Sequence, residues 1–275
     1  MIDLHLHTTA SDGTCTPEEL VDRAWTVGLR TISITDHDTM AAVAPATAAA
    51  HAHGMDVVPG IEITSVHDGR DVHVLAYFLS ESAAGLQELL AEQRRARVER
   101  AHEIARRLAA VGAPIDLQPL LDSSRGTAPR SLARPAIARA LVAAGHATST
   151  ADAFDRYLGE GQPGYVPHTG PSPASVANLV ASAGGIASLA HPGQWGRDDL
   201  IPGLVDAGLQ AIEAYHSSHN SDTTARYLSL ADEYGLLVTG GSDYHGEGTR
   251  RAEFFGVTTL PAERFASLME MVSCR

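Results

Sequence analysis

The chain contains no lysine: all twenty basic residues among its 275 are arginine. That absence removes the P-loop lysine, Schiff-base chemistry and lysine general bases together. Cysteine is nearly as scarce. Cys15 and Cys274 stand too far apart to suggest a disulfide framework or a thiolate zinc site, so both read as plain thiols. No apolar run approaches the ~18 residues of a membrane span. The start, Met1-Ile2-Asp3-Leu4-His5, lacks the basic and apolar segments of a secretory signal, and cytoplasm is the expected location. Positive charge is also in deficit. A formal net charge of -13 argues against duplex nucleic acid as a partner, which usually needs a basic face. Small anionic ligands stay open, drawn in by local positive charge, of which bound divalent metals are the strongest source. A Gly-x-Ser-x-Gly elbow is missing too, which disfavours nucleophilic-serine hydrolysis.

With 44% hydrophobic and 19% charged residues, the composition is that of a globular protein able to bury a substantial core. Residues 1–83 alternate strand-like and helical stretches. A strand is expected over Ile2 to Leu6, then a helix from Pro17 to about Val27 with Thr16 as N-cap. A strand over Thr31 to Thr35 and an Ala-rich helix from Thr39 to His53 follow. Val57 to Thr64 and Asp71 to Phe78 are strand-like. Residues 84–165 read as a helical insertion capping the substrate site. Its first helix, Ala84 to about Leu108, mixes six arginines with glutamates, the pattern of a solvated face, with Glu103 and Arg107 as an i,i+4 pair. Residues 166–275 resume the alternation and end in a β-α unit from Phe254 to Met271. Such patterning points to an α/β parallel sheet or barrel. Gly159-x-Gly161-x-x-Gly164 matches a dinucleotide fingerprint literally. It follows helical sequence instead of a strand, and Pro163 stands where the turn would open into its helix, so it carries no weight.

His5 and His7 alternate on a strand and therefore leave it on one face. Asp12 follows in the next loop. His37 comes directly after the second strand, Glu62 at the end of the third and His73 on the fourth. His191 follows the strand Ile186 to Ala190, and Asp243 and His245 follow Leu236 to Thr239. Six of fourteen histidines and three carboxylates thus fall at one end of successive strands, where barrel enzymes build their sites. Nine N and O donors exceed what one ion takes and imply two or three divalent ions. Imidazole with carboxylate and no thiolate suits Zn, Mn, Fe or Ni alike. Glu62 is the candidate bridge.

These residues resemble the PHP (polymerase and histidinol phosphatase) family, in particular its stand-alone, TrpH-like members. The motifs that match are His5-x-His7, Ser11-Asp12-Gly13, Ile34 to Asp38, Pro59-Gly60-Ile61-Glu62, His73, Ala190-His191-Pro192 and Gly241-Ser242-Asp243-Tyr244-His245-Gly246. The resemblance spans nearly the whole chain. It implies a distorted (β/α)7 TIM-like barrel carrying a trinuclear centre, with His5, His7, Asp12, His37, Glu62, His73, His191, Asp243 and His245 as ligands. The activity implied is phosphate-ester hydrolysis through a metal-bridged hydroxide. Nucleoside 3',5'-bisphosphates are the leading substrate class, with short 5'-phosphorylated RNA or histidinol phosphate as alternatives. Two positions depart from the family pattern: Ala136 stands where Arg-Pro-His is common, and His168 where a basic residue follows Val-Pro.

Beyond the nine, His216 and His219 are candidates to bind phosphate or protonate the leaving oxygen. Arg134 is the candidate to hold a second phosphate, because guanidinium matches phosphate bidentately. A noncatalytic metal-binding module is the reading from a different class. The full ligand set and the absence of a polymerase portion weigh against it.

Overall fold

The first helix starts where the sequence says it should because Thr16 and Glu19 cap it reciprocally. Thr16 Oγ1 accepts from the Glu19 N–H at 3.2 Å, and Glu19 Oε2 accepts from the Thr16 N–H at 2.9 Å. The structure, a computed structural model, describes residues 1–124, 131–249 and 251–274. Its strands form one seven-stranded sheet in chain order: β1 (Ile2–Leu6), β2 (Thr31–Ile34), β3 (Asp56–His67), β4 (Arg70–Tyr77), β5 (Ile186–Leu189), β6 (Ala211–His216) and β7 (Leu237–Gly241). Helices α1 (Pro17–Thr26) and α2 (Val43–His53) connect the first three strands. The sheet curls until the segment after β7 meets β1, where Asp243 N–H donates to His5 O at 2.9 Å and His7 N–H to Tyr244 O at 3.0 Å. Gly241 allows that approach: a Cβ there would stand 2.5 Å from the His5 backbone nitrogen. The result is a nearly closed, irregular α/β barrel.

Three local expectations need correction. Strict β-α alternation breaks at β3 and β4, which form a hairpin, so that β4 runs antiparallel to both β3 and β5. Its two-residue turn, Asp68-Gly69, has φ of 49° and 75°, the doubly left-handed pair that closes a tight hairpin. Glu62 does not end its strand, because β3 runs on to His67 as this hairpin arm. Finally, the stretch before the last helix forms no strand. A 3-10 turn at Ala252–Phe254 leads into irregular chain, bonded to β1 through Leu260 N–H and Ile2 O at 2.8 Å.

Between the two barrel segments, α3 (Leu86–Ala110), α4 (Gln118–Ser123), α5 (Arg134–Ala143) and α6 (Thr150–Ala153) lead into a π-helical turn, Phe154–Leu158. Helix α3 serves two cores: Leu86 and Leu90 belong to the barrel core, whereas Ala101, Ile104 and Leu108 join Ile137, Leu141 and Leu158 in a separate cap core. Packing along one helix thus ties the second cluster to the barrel. Helices α7 (Pro173–Ser182), α8 (Pro192–Trp195), α9 (Ile201–Asp206), α10 (Ser221–Tyr234) and α11 (Ala262–Ser273), with a 3-10 turn at Asp198–Leu200, complete the described elements. Cys15 is buried and Cys274 exposed, both as free thiols. No described helix is long and apolar enough to cross a membrane.

Candidate metal centre

The barrel rim brings all nine expected residues together. Glu62, buried at mid-strand, is the hub. Its Oε2 lies 3.3 Å from His5 Nε2, 3.2 Å from His7 Nε2 and 3.1 Å from His37 Nδ1. Its Oε1 lies 2.8 Å from His73 Nδ1 and 3.1 Å from His191 Nε2. Asp243 is a second hub, with Oδ1 3.1 Å from His7 Nε2 and 3.4 Å from His5 Nε2. Asp12 faces His245 Nε2 at 3.3 Å.

Local backbone work aims these groups. In the Asp36-His37-Asp38 run the two aspartates are fasteners. Asp36 accepts from Thr8 N–H at 2.8 Å and Thr8 Oγ1 at 2.6 Å, which holds the loop that carries Asp12. Asp38, with φ of 53°, accepts from Thr64 N–H at 2.8 Å and from Arg97 Nε at 2.8 Å. His191 and Asp243 also have positive φ, 29° and 55°. Strain of roughly 1–3 kcal/mol at such positions persists only where the surroundings over-determine them.

The donor set fits cations on a specific ground. His5 Nε2, His7 Nε2, His37 Nδ1 and His73 Nδ1 are buried and have no hydrogen-bond partner among the described residues, although each faces a carboxylate oxygen. One carboxylate has about four lone-pair directions and cannot accept from five imidazoles at once. Leaving all five neutral would instead aim nitrogen lone pairs at oxygen. Positive charge between them resolves both difficulties. Burial pushes the pKa of His37, His191 and His216 down to about 3, which leaves neutral imidazole available as a donor. Burial also opposes charge on His5, but Glu213 and Glu62 outweigh it and carry its pKa up to about 10, so a cation seated there takes the place of the proton on Nε2. Among the described residues, four groups have donor atoms within 4.8 Å of one another: His7, Asp12, His37 and His245; His5, His216 and Asp243; His5, His7 and Glu62; His37, Glu62 and His73.

The other expected residues fare differently. His216 is the last residue of β6, is buried, and faces Asp243 Oδ2 at 3.2 Å through Nε2. It therefore joins the groups that could hold a cation. Both ring nitrogens of His219 are taken by backbone: Nδ1 meets Ala214 O at 2.9 Å, and Nε2 accepts from Gly193 N–H at 3.2 Å. Arg134 lines the cleft over the centre, 3.5 Å from Asp71 Oδ2 and beside the Tyr165 ring. His168, at the departing position, is buried with Nδ1 3.2 Å from Asp71 Oδ1. Ala136 lines a separate groove between α5 and the Thr9–Gly13 loop.

The sequence reading missed three kinds of residue. Arg97 and Arg100 were expected on a solvated face, but both line the cleft, and Arg97 is buried against Asp38. A signal was available: Arg97 lies on the stripe Leu86, Leu90, Gln93, Ala101, Ile104, Leu108 that the helix buries. Burial and the neighbouring Arg134 lower the Arg100 pKa to about 10, still cationic at neutral pH. Arg251 also lines the cleft and pairs with Asp243 Oδ2. Glu213, fully buried on β6, accepts from the His191 N–H through Oε2 at 2.7 Å and meets His5 Nδ1 through Oε1 at 2.9 Å. A lone glutamate within Ala211-Ile212-Glu213-Ala214 was its only trace in the sequence.

A model of the PHP domain matches residues 3–113. A 5'-3' exoribonuclease, Rnm, of Escherichia coli is 35% identical over 88% of this chain and 84% of its own. The chain belongs to the PHP family. A second PHP relative, the 3',5'-nucleoside bisphosphate phosphatase of Chromobacterium violaceum, is 34% identical over 90% of this chain and 89% of its own. Among solved PHP structures, one from Bifidobacterium adolescentis, described as a metal-dependent phosphoesterase, superposes with a TM-score of 0.89 at 33% identity, covering 98% of this chain and 96% of that one.

Proposed function

We propose that this PHP protein is a metal-dependent phosphoesterase that releases phosphate from small nucleotides, with nucleoside 3',5'-bisphosphates as the leading class. The observation that carries the reading is the set of four unpartnered imidazole nitrogens turned on Glu62 and Asp243. His5, His7, Asp12, His37, Glu62, His73, His191, Asp243 and His245 would hold two or three divalent ions, Mn, Zn or Fe, with His216 as a tenth donor. Bound there, such ions supply Lewis acidity and an activated water for attack on phosphorus.

The chain's own residues do the rest. Arg100 and Arg134 come from the cap and face the acidic rim across the cleft, where they can grip an anionic oxygen from the side opposite the ions. Arg97 is committed to Asp38 and Thr64, so it stiffens the α3 wall. His219 lacks a free ring nitrogen to offer a leaving oxygen, and we assign it to bracing the loops after β5 and β6. The identity with the Chromobacterium bisphosphate phosphatase supports the substrate class. The test is a panel of a nucleoside 3',5'-bisphosphate, histidinol phosphate and short 5'-phosphorylated RNA, incubated with Mn-loaded protein. Phosphate release from the bisphosphate that His7→Ala abolishes is expected. Undiminished turnover in that variant would reject the assigned centre.

A further inference from the structure

A second lobe of about 320 Å³ adjoins the first cleft, which is about 310 Å³. The two share Asp12, Pro135, Phe154, His245 and Arg251, so a ligand seated on the rim can extend from one into the other. Each volume alone is at the low end of the ~300–1,000 Å³ usual for small-molecule sites, which suits a ligand with two chemically distinct ends. Resting on the nucleotide reading above, we propose that the second lobe is a nucleobase subsite and that the ring of Phe154 is its stacking face.

Charged and imidazole side chains are concentrated in the first lobe. The barrel side of the first lobe is carboxylate and imidazole, and the cap adds arginines, so this lobe takes the phosphate. Its apolar lining residues are Ala133, Pro135 and Phe154, all from the cap, and the latter two continue into the second lobe. Phe154 is half-buried: one part packs on the cap core, and the remainder faces both lobes. An aromatic ring held in this way accepts any base on its π-face with little ordering cost.

Its placement is built into the backbone. Phe154 opens the π-helical turn that directly follows α6, a rare device frequent at functional sites. The Phe154 carbonyl accepts from Gly159 N–H at 2.8 Å, and a Cβ on Gly159 would stand 2.9 Å from that oxygen. The Arg139 side chain, on the same lobe, makes no ion pair or hydrogen bond among the described residues. Its guanidinium is available to a base edge.

Equilibrium binding measured by calorimetry tests this without recourse to turnover. Adenosine 3',5'-bisphosphate and ribose 5-phosphate are titrated into the wild type, Phe154→Leu and Phe154→Trp. Leucine keeps the cap core filled and loses the ring, and tryptophan restores a ring. Phe154→Leu should weaken the nucleotide roughly ten-fold, the loss of one stacked base, and leave the sugar phosphate unchanged. Phe154→Trp should recover the nucleotide affinity. Equal loss for both ligands, no loss for either, or a wild type that binds the base-less ligand as tightly as the nucleotide would each overturn the subsite. Base-dependent binding without phosphate release would keep the subsite and reject the phosphatase reading, and phosphate release with base-independent binding would do the reverse.

Discussion

Replacing Glu213 with glutamine changes one atom and one charge, and the two contacts that the carboxylate makes determine the effect. Glu213 Oε1 stands 2.9 Å from His5 Nδ1, and Oε2 accepts the His191 N–H at 2.7 Å. With a carboxylate, both contacts are satisfied when His5 carries its proton on Nδ1, leaving Nε2 as a lone pair toward Glu62 and Asp243. A glutamine has one acceptor. If its oxygen serves His191, its NH₂ faces His5 Nδ1 and favours the tautomer with the proton on Nε2, where the donor lone pair is needed. If its oxygen serves His5, two donors oppose each other at the His191 N–H. The first orientation takes the donor lone pair away from the cation side of His5, and the second leaves the buried His191 N–H without its acceptor, at a cost of about 1–3 kcal/mol. Loss of a group that orients a metal ligand typically weakens metal binding about 10–100-fold. Glu213→Gln should therefore raise the Mn dissociation constant in a chelator-competition titration by about that factor, with circular dichroism showing a folded chain. Wild-type metal affinity in this variant would refute the tautomer reasoning.

Other consequences are equally open to measurement. Arg97→Ala leaves Asp38 buried without its cation, which should cost about 3–5 kcal/mol and lower the thermal midpoint by roughly 10 °C; a midpoint within a degree of wild type would contradict the pairing of Arg97 with Asp38. Arg134→Ala should raise KM about 10-fold or more with kcat little changed, because it removes a charge-assisted contact to bound substrate; a fall in kcat alone would deny it that role. Stripping the ions with a chelator should lower the thermal midpoint, and titrating Mn back should restore it in a concentration-dependent way, amounting to about 2.7 kcal/mol at a hundred times Kd. A midpoint indifferent to Mn would argue against a folded-state cation site.

What could be read along the chain is what repeats locally. Alternation put His5 and His7 on one face, capping chemistry fixed the start of α1, and residues following strands marked His37, His191, Asp243 and His245 as neighbours, because any barrel of successive strands delivers its strand ends to one rim. Arg97 was legible in principle from its place on a buried stripe, but a charge-rich helix reads as surface unless its partner is known, and Asp38 is 59 residues away. Glu213, and the place of His216 beside Asp243, depended on tertiary structure outright. Residues three apart face opposite sides of a regular strand. The register shift between Glu213 and Tyr215 bends β6 so that both reach the centre. Local periodicity determined which side chains stand at the rim; only the pairing of distant strands and the seating of the cap decided which of them meet, since contact between residues far apart in sequence is set by register and packing that no local pattern encodes.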